Sequence, residues 1–387
     1  MPSRAKIAPN TVLILHSSDE MYGADRILLE VVDGLRDIGG LQVVVWLPAG
    51  VGDGGLTAEL RRRRVQVEHR NLPILRRSNL SVRGIAQLVG SGWGTLLGLW
   101  RGRYSAVYLM TSACLPVAPL ARLARARYVV VHLQEMWSPG DRLVLRPFAL
   151  FCSRAIAISD PVAQASRLTR RPPVVVVENG VSVTADVSSD ARDVPRGSSA
   201  GPQYLVASRW NAWKGHRTLL QAWELAGCPG TLTVLGAAPP VGAGVDVPAL
   251  VGEIVSAPET VRVIGQVESI DGYLDAADAI VLPSDQPEPF GLVVIEAFGH
   301  ARPAIASRGG GPLQVITDGI DGWLFDLGSA PQLADLLRRL TPSDLHAAGE
   351  RARERYLERY TPESYRRRIT AAVTSLWTGA DPEDQTF

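Results

Sequence analysis

Cysteine, lysine and long apolar runs are all scarce in this chain. The three cysteines, Cys114, Cys152 and Cys228, give an odd count and have no metal-ligand spacing. That argues against a disulfide framework or a zinc site and fits reduced core residues in a cytoplasmic protein. No apolar run reaches the ~18 residues of a spanning helix, so no such helix is expected. The opening Met-Pro-Ser-Arg-Ala-Lys carries no secretory h-region. No Asp-x-Asp stands at a strand end to hold a metal–diphosphate, and no spacing suggests a calcium site. Internal repeats and low-complexity tracts are missing as well. Of 40 basic residues only Lys6 and Lys214 are lysines, which singles out Lys214.

What is present suits two domains: 387 residues, 46% of them apolar. A net charge of +1 hides an asymmetry, because residues 1–185 hold 23 Lys+Arg and 13 Asp+Glu, and the remainder holds 17 and 26. A basic first half points to an anionic acceptor or an anionic membrane surface, against the alternative of ordinary surface scatter. Thr11–His16 reads as a buried strand, Ala24–Ile38 as an amphipathic helix ending at Gly39-Gly40, and Leu41–Leu47 as the next strand. This β-loop-α-β opening predicts a doubly wound parallel sheet. Further strands are expected at Ala106–Met110, Tyr128–Leu133, Ala155–Ile158 and Val174–Val177. Residues 186–202, rich in Ser, Asp, Gly and Pro, read as a linker between domains at 1–185 and 203–364. The second domain has strands at Tyr204–Ala207, Thr231–Leu235, Val261–Ile264, Ala279–Leu282 and Ala304–Ala306. The tail 365–387 reads as helical, with Tyr365, Ile369, Val373 and Leu376 on one face. Ile85–Trp100 is apolar and contains Trp93 and Trp100, and glycines at 90, 92, 94 and 98 leave a regular helix and a loop-and-helix insertion packed on the sheet both open.

The stretch Ser284-Asp-Gln-Pro-Glu288-Pro-Phe290-Gly291-Leu292-Val-Val-Ile-Glu296 places two carboxylates on either side of a Phe-Gly turn and a short apolar run. Gly291 marks a helix start, whose unpaired N–H groups and positive dipole end suit a phosphate. Taken alone, acidic residues near a helix N-terminus are a common stabilising feature. Here the apolar residues around Glu296 put it on a helix with little polar surface, and a buried carboxylate needs a partner.

With Ala277–Ser284 before it and Pro303–Pro312 and Asp318–Gly322 after it, this stretch resembles the C-terminal half of the family-4 retaining glycosyltransferases. The resemblance is strong over residues 203–327 and weaker over 11–50 and 128–182. It implies an α/β chain of GT-B architecture, with two Rossmann-like doubly wound parallel-sheet domains facing a cleft. It also implies that the tail helix returns to the first domain. Glu288 would meet the transferred sugar and Glu296 the ribose, with Phe290, Gly291 and Leu292 beside them in the donor site. Ser208-Arg209-Trp-Asn-Ala-Trp-Lys214-Gly215 is similar to the family's G-R-…-K-G loop, with Ser208 in place of a Gly. Arg209 and Lys214 would hold the diphosphate and stabilise the charge growing on it. Alone, Arg-x4-Lys is more often a solvated loop, and this loop is expected to be exposed. Gly236 falls near the nucleotide base, and Arg308-Gly-Gly-Gly311 reads as a flexible turn.

In the first domain, Gly23 of Tyr22-Gly23-Ala24-Asp25-Arg26 stands in the family's glycine-rich loop facing the diphosphate, with Ala24 replacing a second glycine. His132-Leu-Gln134-Glu135 resembles the H-x-H-E strand end, with Gln134 where a sugar-contacting His is usual. His132 itself is the type of lone strand-end histidine that belongs to a core. Ser159 and Asn179-Gly180 match positions near the cleft and hinge, though Asn-Gly is also a plain turn signal.

The expected function is a retaining hexosyltransferase using a UDP- or GDP-linked sugar, without metal or other cofactor. Its acceptor would be lipid-linked or a saccharide, with an anionic membrane surface as a further partner and no nucleic acid. The expected location is cytoplasmic, peripheral at the inner face of the membrane. Two rivals stand beside it: a non-catalytic nucleotide-sugar-binding protein of the same fold, and a sugar-phosphate synthase.

Overall fold

A computed structural model describes residues 11–52, 54–75, 82–169, 171–183, 201–239 and 244–378. The chain divides into two compact units, Met1–Gly180 with Pro362–Phe387, and Val181–Thr361. Most of the expected linker, and residues 379–387 of the tail, lie outside the described residues.

The first unit runs β1 (Thr11–Leu15), α1 (Gly23–Arg36), β2 (Gln42–Pro48), α2 (Gly55–Arg62), β3 (Gln66–Arg70), α3 (Val82–Gly102), β4 (Ala106–Leu109), α4 (Val117–Leu123), β5 (Tyr128–Leu133), α5 (Pro139–Ala149), β6 (Arg154–Ala157), α6 (Asp160–Ser166) and β7 (Val174–Val176). Its parallel sheet has the order β3-β2-β1-β4-β5-β6-β7. The central strands are continuous apolar runs because a parallel sheet is covered on both faces, and all six residues of β5 are buried. β3 escaped the sequence reading: Gln-Val-Glu-His-Arg has no buried run, as suits an edge strand.

Of the two readings left open, the structure shows a helix: α3 runs continuously through its glycines. Packing outweighs propensity here. A Cβ on Gly98 would come within 2.6 Å of Arg70 Nη1 and 2.9 Å of the Trp46 ring, so glycine lets both side chains lie against the helix.

The second unit runs β8 (Gln203–Ala207), α7 (His216–Leu225), β9 (Thr231–Leu235), α8 (Val247–Ile254), β10 (Val261–Gly265), α9 (Asp271–Ala276), β11 (Ala279–Leu282), α10 (Leu292–Gly299), β12 (Ala304–Ser307), α11 (Pro312–Val315), β13 (Gly322–Phe325), α12 (Ala330–Arg339) and α13 (Pro342–Arg355). Its parallel sheet has the order β10-β9-β8-β11-β12-β13. Its core centres on Trp223, stacked edge-to-face on Tyr204 with ring centroids 5.8 Å apart. β13 is a short edge strand that opens on a glycine, and the sequence reading missed it too.

The last described helix, α14 (Pro362–Thr378), belongs to the first unit. Arg366 Nε donates to Glu30 Oε2 at 2.7 Å and Thr370 Oγ1 to the Gly34 carbonyl at 3.0 Å, which fixes the helix on α1. Among the described residues, no helix is long and apolar enough to cross a membrane.

Candidate functional site

In each sheet the strand order reverses at one point, between β1 and β4 and between β8 and β11. Open α/β sheets bind ligands beyond the carboxyl ends of the strands at such a switch point. In the second unit the two expected motifs emerge from the two strands that flank it. Arg209 and Lys214 follow β8, and Glu288 follows β11.

Lys214 Nζ donates to both oxygens of Glu288, at 2.9 and 2.8 Å, and Ser284 Oγ donates to Glu288 Oε2 at 2.9 Å. The expectation of an exposed loop holds for Arg209 and is corrected for Lys214. The Lys214 side chain is 15% exposed and that of Glu288 11%. Lys214 also lies over the Trp213 ring, 4.3 Å from its centroid.

Glycines let the surrounding loops close on one another. Gly215 has φ +72°, and a Cβ there would meet the Pro283 carbonyl oxygen at 1.8 Å. The same junction is tied by Asp285 N–H to the Trp213 carbonyl at 2.8 Å and by Thr218 Oγ1 to Asp285 Oδ1 at 2.8 Å. Arg308-Gly-Gly-Gly311 is a brace rather than a flexible turn. Gly310 has φ +73° and forms a parallel bridge with Glu288, whose carbonyl a Cβ would meet at 2.0 Å. Gly311 N–H donates to that carbonyl at 2.7 Å, and Arg308 is held by Asp318 at 2.8 Å.

Gly291, at φ +89°, caps the start of α10 as the sequence indicates, and Leu292 is its first residue. Glu296 lies within α10 and is 6% exposed. Phe290 is 2% exposed and stacks against Tyr360, so its side chain is core and only its backbone is offered to a donor. Gly236, at φ +122°, closes on the Ser208 carbonyl, where a Cβ would come within 1.9 Å. Ser208 Oγ lies 3.4 Å from His216 Nε2. Burial, with the Lys214 charge nearby, lowers the His216 pKa to about 4, so this imidazole is neutral beside the site.

Gly23 and Gln134 belong to the first unit. Gly23 opens α1, and what shapes its loop is a cluster the sequence reading missed. Asp25 Oδ1 contacts His16 Nε2 at 2.8 Å and accepts from Ser18 Oγ at 2.7 Å, while its Oδ2 accepts from Tyr22 N–H at 3.0 Å. Burial works against the Asp25 charge, but these contacts outweigh it and hold the carboxyl below its ordinary range. The available signal was a His directly beyond a buried strand. The Gln134 amide donates to the Met110 carbonyl at 3.0 Å. Beside it, Ser112 Oγ donates to Glu135 Oε2 at 2.8 Å and accepts from the Trp137 indole at 2.8 Å. His132 is fully buried against Tyr108, and desolvation lowers its pKa to about 3, which makes it a neutral core histidine. Ser159 caps α6, accepting from Val162 N–H at 3.4 Å, and Asn179 is buried.

Two short strand-end loops bearing Arg209, Lys214 and Glu288 at the switch point of a parallel sheet, and a glycine-led helix start beside them, form a site suited to a phosphorylated ligand. Comparison with known proteins agrees. Residues 201–342 match the family described as Glycosyl transferases group 1. The chain is similar to sucrose synthase of Acidithiobacillus caldus, 39% identical over 98 residues, 23% of this chain and 12% of that protein. It is also similar to phosphatidyl-myo-inositol mannosyltransferase of Mycobacterium leprae, 30% identical over 222 residues, 55% of this chain and 58% of that protein. The match thus spans less than two thirds of these relatives' own length. The solved structure of Anabaena Alr3699/HepE in complex with UDP-glucose aligns with a TM-score of 0.77 at 22% identity, over 94% of this chain and 99% of that one. Residues 201–342 are thus similar to a glycosyl transferases group 1 domain, and the two parallel α/β units share the fold of the HepE structure.

Proposed function

We propose that the protein is a retaining glycosyltransferase that moves a hexose from a nucleoside diphosphate sugar to an acceptor hydroxyl. The observation that carries this reading is the Lys214–Glu288 pair at the β8/β11 switch point. Lys214 and Arg209 hold the diphosphate in place of a metal ion, Glu288 meets the sugar and Glu296 the ribose. Gly236 and Ser208 border the nucleotide. In the reaction the acceptor O–H bond breaks and its oxygen bonds to the anomeric carbon on the face the phosphate leaves. The anomeric C–O bond to the diphosphate breaks, and the departing phosphate takes the proton. Positive charge at the leaving group lowers the barrier because it acts where negative charge grows.

The UDP-glucose held by HepE favours UDP over GDP as the carrier. A thermal-shift panel of UDP-, GDP- and ADP-sugars tests this. A UDP-sugar at a hundredfold excess over Kd should stabilise the protein by roughly 2.7 kcal/mol. Failure of every nucleotide sugar to raise Tm sinks the reading. Stabilisation without transfer or hydrolysis points instead to a non-catalytic binder, and transfer only to sugar phosphates points to a synthase.

A cytoplasmic, membrane-peripheral setting with a lipid-linked acceptor is supported by α3, which exposes Val89, Trp93 and Trp100. Arg61 and Arg64 are exposed nearby in sequence, whereas Arg62 and Arg63 are paired with Glu59, and Arg76 and Arg77 lie outside the described residues. Arginine near an anionic surface contributes about 1 kcal/mol, and interfacial Trp adds apolar anchoring. Co-sedimentation with anionic vesicles is expected at low salt and should fall as salt screens the field. Equal, negligible binding to anionic and neutral vesicles at low salt overturns it.

A further inference from the structure

One buried titratable group beside the second unit's switch point has no part in the reaction as described. His216 is the first residue of α7 and is 2% exposed. Its Nε2 lies 3.4 Å from Ser208 Oγ. Its Nδ1 is buried and, among the described residues, has no hydrogen-bond partner. Ser208 directly follows β8, one of the two strands that flank the switch point.

The surroundings fix how this pair carries its protons. Burial and the Lys214 charge lower the His216 pKa to about 4, and the positive end of the α7 dipole also opposes a cation at its first residue. The ring is therefore neutral and has a single N–H. On Nδ1 that N–H would be a buried donor with nothing to accept it, which folded proteins avoid more strictly than a bare lone pair. On Nε2 it meets Ser208 Oγ. The proton therefore sits on Nε2. His216 donates, Ser208 Oγ accepts, and the serine keeps its own O–H to donate elsewhere.

Ser208 is half-buried, and its backbone is held from β9. Its N–H donates to the Leu235 carbonyl at 3.4 Å, and Gly236 closes on its carbonyl. The groups beside its hydroxyl are donors: Arg209, next in sequence, and the first N–H groups of α7, which no side chain caps. The carboxylates of this strand end are engaged, Glu288 by Lys214 and Ser284 and Asp285 by Thr218. A ligand that meets this set has to be an acceptor, and the oxygens of a diphosphate are anionic acceptors.

We propose that the Ser208 hydroxyl donates to a phosphate oxygen of the nucleoside diphosphate, and that His216 is the positioning residue that turns the hydroxyl to it. The identity of the ligand rests on the glycosyltransferase reading. A glycine at 208, as in the motif this loop resembles, has no hydroxyl to turn.

The test contrasts His216→Gln, whose amide nitrogen reaches about as far as Nε2, with His216→Asn, whose amide nitrogen reaches only as far as Nδ1. UDP binding is measured by titration calorimetry, uridine binding by displacement of UDP, and Tm alongside. Ser208→Ala should raise Kd for UDP about tenfold, as for one hydrogen bond to a charged group, and leave uridine as it is. His216→Asn should weaken UDP about as much, and His216→Gln should recover most of the affinity. In the Ser208→Ala background His216→Asn should cost no further affinity, because the two act through one contact. Unchanged UDP binding by folded Ser208→Ala overturns the proposal, and sugar transfer by the wild type then leaves the glycosyltransferase reading standing. Equal losses for UDP and uridine overturn the phosphate contact. Additive losses in the double variant, or a fall in Tm with unchanged UDP affinity in His216→Asn, overturn the positioning role. Failure of the wild type to bind UDP, GDP or ADP overturns both the contact and the reading. The expected pattern in a protein that transfers no sugar supports the contact and removes the glycosyltransferase reading.

Discussion

Lys214→Ala is expected to lower sugar transfer on the order of 100-fold, the loss typical of removing one preorganised donor to a developing oxyanion. The residue has two tasks in this structure, and the substitution affects both. Lys214 binds both oxygens of Glu288 with 15% and 11% of the two side chains exposed. Removing it leaves a mostly buried carboxylate whose remaining side-chain partner among the described residues is the Ser284 hydroxyl. Breaking a buried pair from one side destabilises by about 3 kcal/mol at the low end of the usual range, which is the appropriate end here because Ser284 remains. The two effects separate in a second variant. Lys214→Ala combined with Glu288→Gln removes the orphaned charge, so stability measured in urea should largely return while transfer stays low. Wild-type turnover in a folded Lys214→Ala protein ends the assignment of the lysine to the leaving group. Full stability in the single variant would show that the pair is incidental to folding.

How much of this was legible beforehand follows from the physics of each element. The buried parallel strands announced themselves as unbroken apolar runs. Thr231–Leu235 and Ala279–Leu282 were bounded correctly because both faces of the sheet are covered. The edge strand β3 was not, since an edge strand need not be apolar on both sides, and β13, though buried throughout, is only four residues long and opens on a glycine. Helix α3 was left open because propensity speaks against four glycines, while the close approach of Trp46 and Arg70 to Gly98 is a tertiary fact. In the site, the spacing of Glu288 and Glu296 and the helix start at Gly291 are local, and both were readable. The contact of Lys214 with Glu288 spans 74 residues and has no local signature. Likewise, three successive glycines read as flexibility. Only the structure shows Gly310 and Gly311 pressed on the Glu288 and Phe290 backbone, where any side chain would collide. The His16–Ser18–Asp25 cluster was overlooked because its members are ordinary residues until β1 and α1 bring them together.

The two carboxylates should separate cleanly in binding experiments. Glu296 sits inside α10 at 6% exposure and is proposed to hold the ribose hydroxyls. Glu296→Ala removes charge-assisted hydrogen bonds, each contributing about 1.5–3 kcal/mol, so Kd for free UDP should rise about 10- to 100-fold. Glu288 is proposed to meet the sugar, which free UDP lacks, and in this structure it occupies the lysine proposed to hold the diphosphate. Glu288→Ala should therefore leave UDP binding as it is or tighten it, because Lys214 is released to the phosphate. Transfer should fall nonetheless, since the sugar loses its carboxylate partner. Titration calorimetry of UDP against each variant, with transfer assayed in parallel, decides the matter. Loss of UDP from Glu288→Ala as severe as from Glu296→Ala would mean that the pair acts as one unit on the nucleotide, and the division of roles would fall. Tighter UDP binding together with lost transfer would assign the lysine to the diphosphate and Glu288 to the sugar in a single experiment.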